Sequence, residues 1–232
     1  VLFRSLDVLV TPFLDDYAKL AVHRGFSHSI FFAILAGAIS AWGLQRLYQK
    51  YGQSFLRWYS FTFLALFTHA LLDGFTVYGT QLLNPISDYP FAWNSVFIID
   101  PLYTIWLLIA LLIAVFYRKE PWRMRVVAAS LLLSTGYLIW GQFAKHTVDR
   151  AFLADLSARG IQPEQFMSNP TVLNTVLWMG IARKGDTLFV GLHGLADGDD
   201  PIQWLEIPRN SQFIQSAISR GNPYVERLLW FC

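Results

Sequence analysis

The sequence is poor in cysteine and in charge. Its single cysteine, Cys232, excludes an internal disulfide and any cysteine-built zinc site, so a metal here needs His and carboxylate ligands. Charged residues make up 15% of the chain against 54% hydrophobic, with a net charge of only +2, where a soluble domain carries about a quarter charged residues. The basic residues fall in short clusters between apolar runs. They form no stripe with interleaved aromatics, which argues against nucleic acid as a partner. There is no Gly-rich phosphate loop, no Gly-x-Ser-x-Gly elbow and no Cys-x-x-Cys pair. The chain opens on Val1 and closes on the apolar run Trp230-Phe231-Cys232, so a longer protein is expected at both ends. Asp7, Asp15 and Asp16 interrupt the apolar start, where no signal-peptide pattern is visible.

What is present is apolar length. A spanning helix needs ~20 mostly apolar residues, and residues 29–47, 56–72, 95–117 and 126–144 come close. These are read as four membrane spans, the second of them short. Charge-free runs approaching ~18 residues argue against four buried helices of a soluble bundle.

Orientation follows from the short loops, because cytoplasmic loops carry the Lys and Arg excess. The link between the first two spans holds Arg46, Lys50 and Arg57, and that between the third and fourth holds Arg118, Lys119, Arg123 and Arg125. Both are expected in the cytoplasm. The link at 74–94 has no Lys or Arg and carries Tyr78, Tyr89, Phe91 and Trp93 as an interfacial belt, which places it outside. By alternation, the stretch before the first span and everything after the fourth are also outside. The fold class expected is therefore mainly α: a polytopic transmembrane helical bundle over residues 1–145, followed by a small extracytoplasmic α+β domain over residues 146–232. Within that domain 147–159 reads as a helix. Residues 175–183 and 187–192 read as strands between the turn signals Gly185-Asp186 and Asp197 to Asp200.

On this topology the unusual polar residues gather at one face. His23 and His28 precede the first span. His69 and Asp73 end the second, four residues apart and so on one helical face. Asp100 opens the third, with Pro101 suited to a first helical turn. Asp7 lies upstream on the same side. Ionisable groups at membrane depth point to function with a named partner, and neutral imidazoles with carboxylates suit a divalent metal, Zn²⁺ foremost, with Mn²⁺ or Mg²⁺ as alternatives. Arg24, beside both histidines, suits an anion.

Each residue alone also has a plainer reading. His23 or His28 can be an interfacial residue, His69 with Asp73 a hydrogen-bonded helix tie, Asp100 an N-cap, Arg24 a snorkelling cation, and Asp7 a solvated carboxylate. Joint placement on one face favours the metal. His146, beside Lys145, reads as an interfacial anchor, and His193, with only Asp197 near it, as a turn residue.

The run His23-Arg-Gly-Phe-Ser-His28-Ser29, the run His69-Ala-Leu-Leu-Asp73-Gly-Phe-Thr76 continuing through Tyr78-Gly79-Thr80-Gln81 to Asn84-Pro85, and Asp100-Pro101-Leu102-Tyr103 together resemble the YdjM-like family of bacterial inner-membrane proteins, described as predicted metal-dependent hydrolases. The likeness covers residues 5 to 145, with a looser match in the tail. In that family an acidic Pro-Asp-x-Asp motif precedes the first histidine pair, whereas this chain has only Ser5-Leu6-Asp7 after Arg4. The His-x-x-x-Asp element is also similar to one in zinc phospholipase C. The resemblance implies an integral inner-membrane, metal-dependent hydrolase with ligands Asp7, His23, His28, His69 and Asp73. Asp100 would serve as orienter or general base and Arg24 as anion binder, on a lipid or phosphoester substrate reached from the bilayer. A non-enzymatic envelope scaffold, with the cluster holding helices together, is the alternative from another class. A transporter is a third, but it predicts polar residues continuing across the membrane, whereas the first, third and fourth spans are apolar towards the cytoplasmic side.

Overall fold

The computed structural model describes residues 25–198, 200–209 and 216. The described chain is mostly helical and closes in a small antiparallel sheet. It divides into two compact units: one is built on the first two helices with Tyr78–Ala92, the other on Phe75–Val77 and the described residues of Trp93–Ser211.

In the first unit, α1 (Ile30–Leu47) begins where Ser29 caps it, its Oγ accepting from the Phe32 amide at 3.1 Å. A short 3₁₀ turn, Phe26–His28, leads into that cap. Helix α2 (Phe55–Gly74) exceeds the expected 56–72 by Phe55 at its start and by Asp73 and Gly74 at its end. Phe55, Tyr59, Phe63 and Phe67 stack at i, i+4 spacing, with centroids 6.0, 5.9 and 5.5 Å apart. The buried face of α1 is made of small residues, Ala33, Ala36, Gly37 and Ala41. A Cβ on Gly37 would stand 3.2 Å from the Phe63 Cα, so the helices meet backbone to backbone. Thr62 seals the contact by donating its hydroxyl to the Gly37 carbonyl at 2.8 Å.

In the second unit, α3 (Pro101–Phe116) is 16 residues long, and the span expected at 95–117 is correspondingly shorter. The cause is local. Asp100 caps the helix, its Oδ1 accepting from the Leu102 and Tyr103 amides, and Pro101 takes the first turn. Residues 95–100 run outside any helix, with the Ser95 amide donating to the Phe75 carbonyl at 2.9 Å. Helix α4 (Arg123–Ala158) is 36 residues, about 54 Å at 1.5 Å per residue, and passes residue 145 without a break. The separate helix expected at 147–159 is its continuation. Early in α4 the large side chains are exposed, Leu132, Ile139 and Phe143 among them. Its last part buries Ala144, Val148, Phe152 and Leu156 at a strict four-residue repeat against the sheet.

That sheet has four strands in the order β1-β2-β3-β4: β1 (Gln165–Pro170), β2 (Leu177–Lys184), β3 (Thr187–Gly194) and β4 (Trp204–Pro208), every pair antiparallel. The two strands expected from the sequence are β2 and β3. β1 and β4 leave no clear signal, because Pro170 and Pro208 close them and their patterns are too short to alternate. Trp178 is fully buried beneath Phe152, and Gly180 leaves room for the Phe152 ring, which a Cβ would meet at 2.8 Å. Among the described residues three helices, α1, α2 and α4, are long and apolar enough to cross a membrane; α3 is apolar but shorter.

Candidate metal centre

The first unit brings His28, His69 and Asp73 together. His69 and Asp73 follow from α2 alone, one turn apart on one face. His28 arrives from the other helix: the 3₁₀ turn ahead of Ser29 swings it over the end of α2, where it is 5% exposed. Asp73 is equally buried, and His69 is a third exposed. The loop after α2 braces this arrangement, since the Ile30 amide at the start of α1 donates to the Leu82 carbonyl at 3.0 Å. Thr80, Gln81 and Leu82 are buried beside that bond.

The distances fit an ion pair between imidazole and carboxylate and also a shared metal ion. Oδ2 of Asp73 is 3.4 Å from Nε2 of His28 and 3.4 Å from Nε2 of His69. Both exceed the ~2.7–3.2 Å of an N–H···O hydrogen bond. They match the edge of a tetrahedron with bonds of about 2.1 Å, roughly 3.4 Å, the spacing of atoms sharing one zinc-like ion. All three ligand atoms lie within 4.8 Å of one another, and the group could hold a metal ion. The donor set, two imidazoles and a carboxylate, is that of catalytic zinc sites with a position left for water. Ser27 Oγ lies 2.8 Å from Nδ1 of His28. With Nδ1–H donating to that hydroxyl, Nε2 keeps its lone pair toward Asp73, the tautomer that ligates.

The residues forming this centre lie inside a region of known kinship, for the sequence matches the YdjM inner membrane protein family over residues 6–148. The chain belongs to that family. It is also similar to the uncharacterized protein YfhP of Bacillus subtilis (strain 168), 33% identical over 151 residues, covering 60% of this chain and 43% of YfhP. The chain thus spans less than half the length of that relative. No solved structure matches.

Of the other residues singled out in this YdjM-family sequence, Asp7, His23 and Arg24 lie outside the described residues. Asp100 is placed in the second unit. Besides capping α3, its Oδ2 accepts from the Tyr137 hydroxyl at 2.8 Å, and that hydroxyl lies 3.0 Å from Thr175 Oγ1. The carboxylate thereby joins α3 to α4 and to the segment before β2. His146 is exposed on α4. His193, expected in a turn, instead sits on β3, buried against the Phe152 ring at 5.8 Å. The glycines around it obscure the strand, although Gly191 and Gly194 are needed where Trp204, Ile202 and Asp197 approach. Ser27, Tyr137 and Thr175 carry no signal in the sequence, since their hydroxyls acquire partners only through the fold.

A cavity of about 590 Å³ adjoins the cluster between α1 and α2. His28 and His69 line its polar end, and Leu66, Phe61 and Gly43 are among the residues lining the rest. The volume falls within the ~300–1,000 Å³ of small-molecule sites.

Proposed function

We propose that the protein is an integral membrane metal-dependent hydrolase acting on a lipid or phosphoester substrate at the external face of the bacterial inner membrane. The observation that carries this reading is the twofold 3.4 Å spacing of Asp73 from His28 and His69. In the full site Asp7 and His23 complete the ligands, Zn²⁺ is the favoured ion over Mn²⁺ or Mg²⁺, and Arg24 receives the anionic part of the substrate. A bound divalent ion supplies a water of lowered pKa for attack on an ester. The chain's own part is to hold these imidazoles and carboxylates beside the groove, with His28 and Asp73 buried and His69 a third exposed. Asp100 lies in the second unit, where its carboxylate accepts from two amides and a phenol and ties α3 to α4.

The same reading takes α3 as a fourth span, residues 1–145 as the membrane part and residues 146–232 as extracytoplasmic. The loop charges support it: Arg118, Lys119, Arg123 and Arg125 cluster at one end of α3, and 74–94 lacks Lys and Arg altogether. Elemental analysis of the purified full chain is expected to find one equivalent of Zn, Mn or Mg, lost in His69→Ala. Metal-free protein, or content unchanged by that substitution, overturns the proposal.

A further inference from the structure

The cavity beside the candidate metal centre is asymmetric in a way that specifies a ligand. One end carries Ser27, His28 and His69; from there it runs between α1 and α2 past Ala65, Leu66 and Thr62 toward Gly43. The helices are antiparallel, because the turn before α1 meets the end of α2 while Gly37 meets Phe63 in mid-helix. Gly43 therefore lies about 20 Å along the axis from Ile30, at 1.5 Å per residue, beyond the midplane of a ~30 Å hydrocarbon core. The far end is open: a Cβ on Gly43 meets nothing within 4 Å, whereas one on Gly37 meets backbone. The two glycines thus do different things. Gly37 lets the helices touch, and Gly43 widens a slot between them.

We propose that this groove takes one fatty acyl chain of the substrate, its ester head at His28, His69 and Asp73 and its tail toward Gly43, so that Gly43 sets the longest chain accommodated. The inference rests on the hydrolase reading for the identity of the head and on the groove alone for the tail. Beyond the histidine end the cavity presents mainly apolar surface, with Ser40 and Thr62 as its polar side chains, and so offers a soluble phosphoester such as a nucleotide little to pair with along its length. It suits a flexible alkyl chain that enters sideways from the bilayer, where transfer of the tail costs little because lipid and groove are equally apolar.

The test uses the full chain in nanodiscs containing a palmitoyl phosphatidate probe that carries a diazirine near the end of its chain. Photolabelling mapped by peptide mass spectrometry is expected to concentrate around Gly43, Leu44 and Phe61, and to fall at least about tenfold in Gly43→Phe, the scale of discrimination by pocket filling. Ala65→Phe, which blocks the slot from α2, provides the same reading should Gly43→Phe fail to fold. Labelling of the exposed residues Leu35, Ile39 and Leu132 serves as the bulk-lipid reference. Labels spread evenly over those residues, and indifferent to both blocking substitutions, overturn the acyl groove. Metal content is measured on the same samples: selective labelling without metal sinks the hydrolase reading and leaves the groove, and metal with unselective labelling does the reverse.

Discussion

Nε2 of His28 lies 3.4 Å from Oδ2 of Asp73, although one side chain comes from the turn before α1 and the other from the last turn of α2. A ligand pair that bridges two helices makes metal binding sensitive both to the ligands and to what aims them. Asp73→Ala is expected to abolish stoichiometric metal. Ser27→Ala, which removes only the hydroxyl at Nδ1 of His28, is expected to weaken affinity by roughly 10–100-fold, as loss of an outer partner of a ligand does. Competition with a chromogenic chelator measures both, and an equal loss in the two variants contradicts the assigned roles.

Close packing of α1 on α2 depends on Gly37. A side chain there must push against the Phe63 backbone, which cannot rotate away. Gly37→Leu is expected to cost about 1–3 kcal/mol by overpacking, read as a lower melting temperature in detergent, while Gly43→Leu leaves it nearly unchanged. Equal effects at the two positions are incompatible with backbone contact at Gly37 alone.

Much of this unit is written in the sequence. Ser29 signals its helix start by residue type, and His69 and Asp73 share a face by spacing alone, so both are legible in the order of residues. What brings His28 to them is not. It depends on a 3₁₀ turn and on Leu82 accepting from Ile30, contacts between segments that no local pattern records. The second unit is less legible for a related reason. Asp100 and Pro101 mark the start of α3 by residue type, as an N-cap and a first-turn proline, but apolar continuity across 95–117 draws the expected span beyond them; the polar pair Lys145-His146 hides that α4 runs on unbroken to Ala158. His193 reads as a turn residue because its glycine neighbours signal a turn, while their cause is the approach of Trp204 and Asp197.

Asp100 and Tyr137 couple α3 to α4. Asp100→Ala removes the cap and the phenol's acceptor together and is expected to cost about 0.5–2 kcal/mol for the cap alone. Tyr137→Phe removes only the shared hydrogen bond, about 0.5–1.5 kcal/mol or somewhat more for a charged acceptor. In a double-mutant cycle the two losses are expected to be less than additive, since both delete the same 2.8 Å contact. Strict additivity in thermal unfolding contradicts a direct bond.

The course of α3 decides where the later half of the chain lies. Sixteen residues rise about 24 Å, short of a ~30 Å hydrocarbon core, so length alone leaves α3 below a full span. Charge argues the other way, because Arg118 and Lys119 at its end resemble Arg46 and Lys50, the basic loop pattern expected of a cytoplasmic side. The lone cysteine makes the question tractable: in a Cys232→Ser background, single cysteines can replace Ile86, Gln49, Lys119 and Asp200, all exposed. With α3 crossing, a membrane-impermeant maleimide labels Ile86→Cys and Asp200→Cys in intact cells, and Gln49→Cys and Lys119→Cys only after permeabilisation. If α3 lies in the interface, Lys119→Cys labels from the same side as Ile86→Cys. Asp200→Cys then moves to the side of Gln49→Cys, and the sheet becomes cytoplasmic.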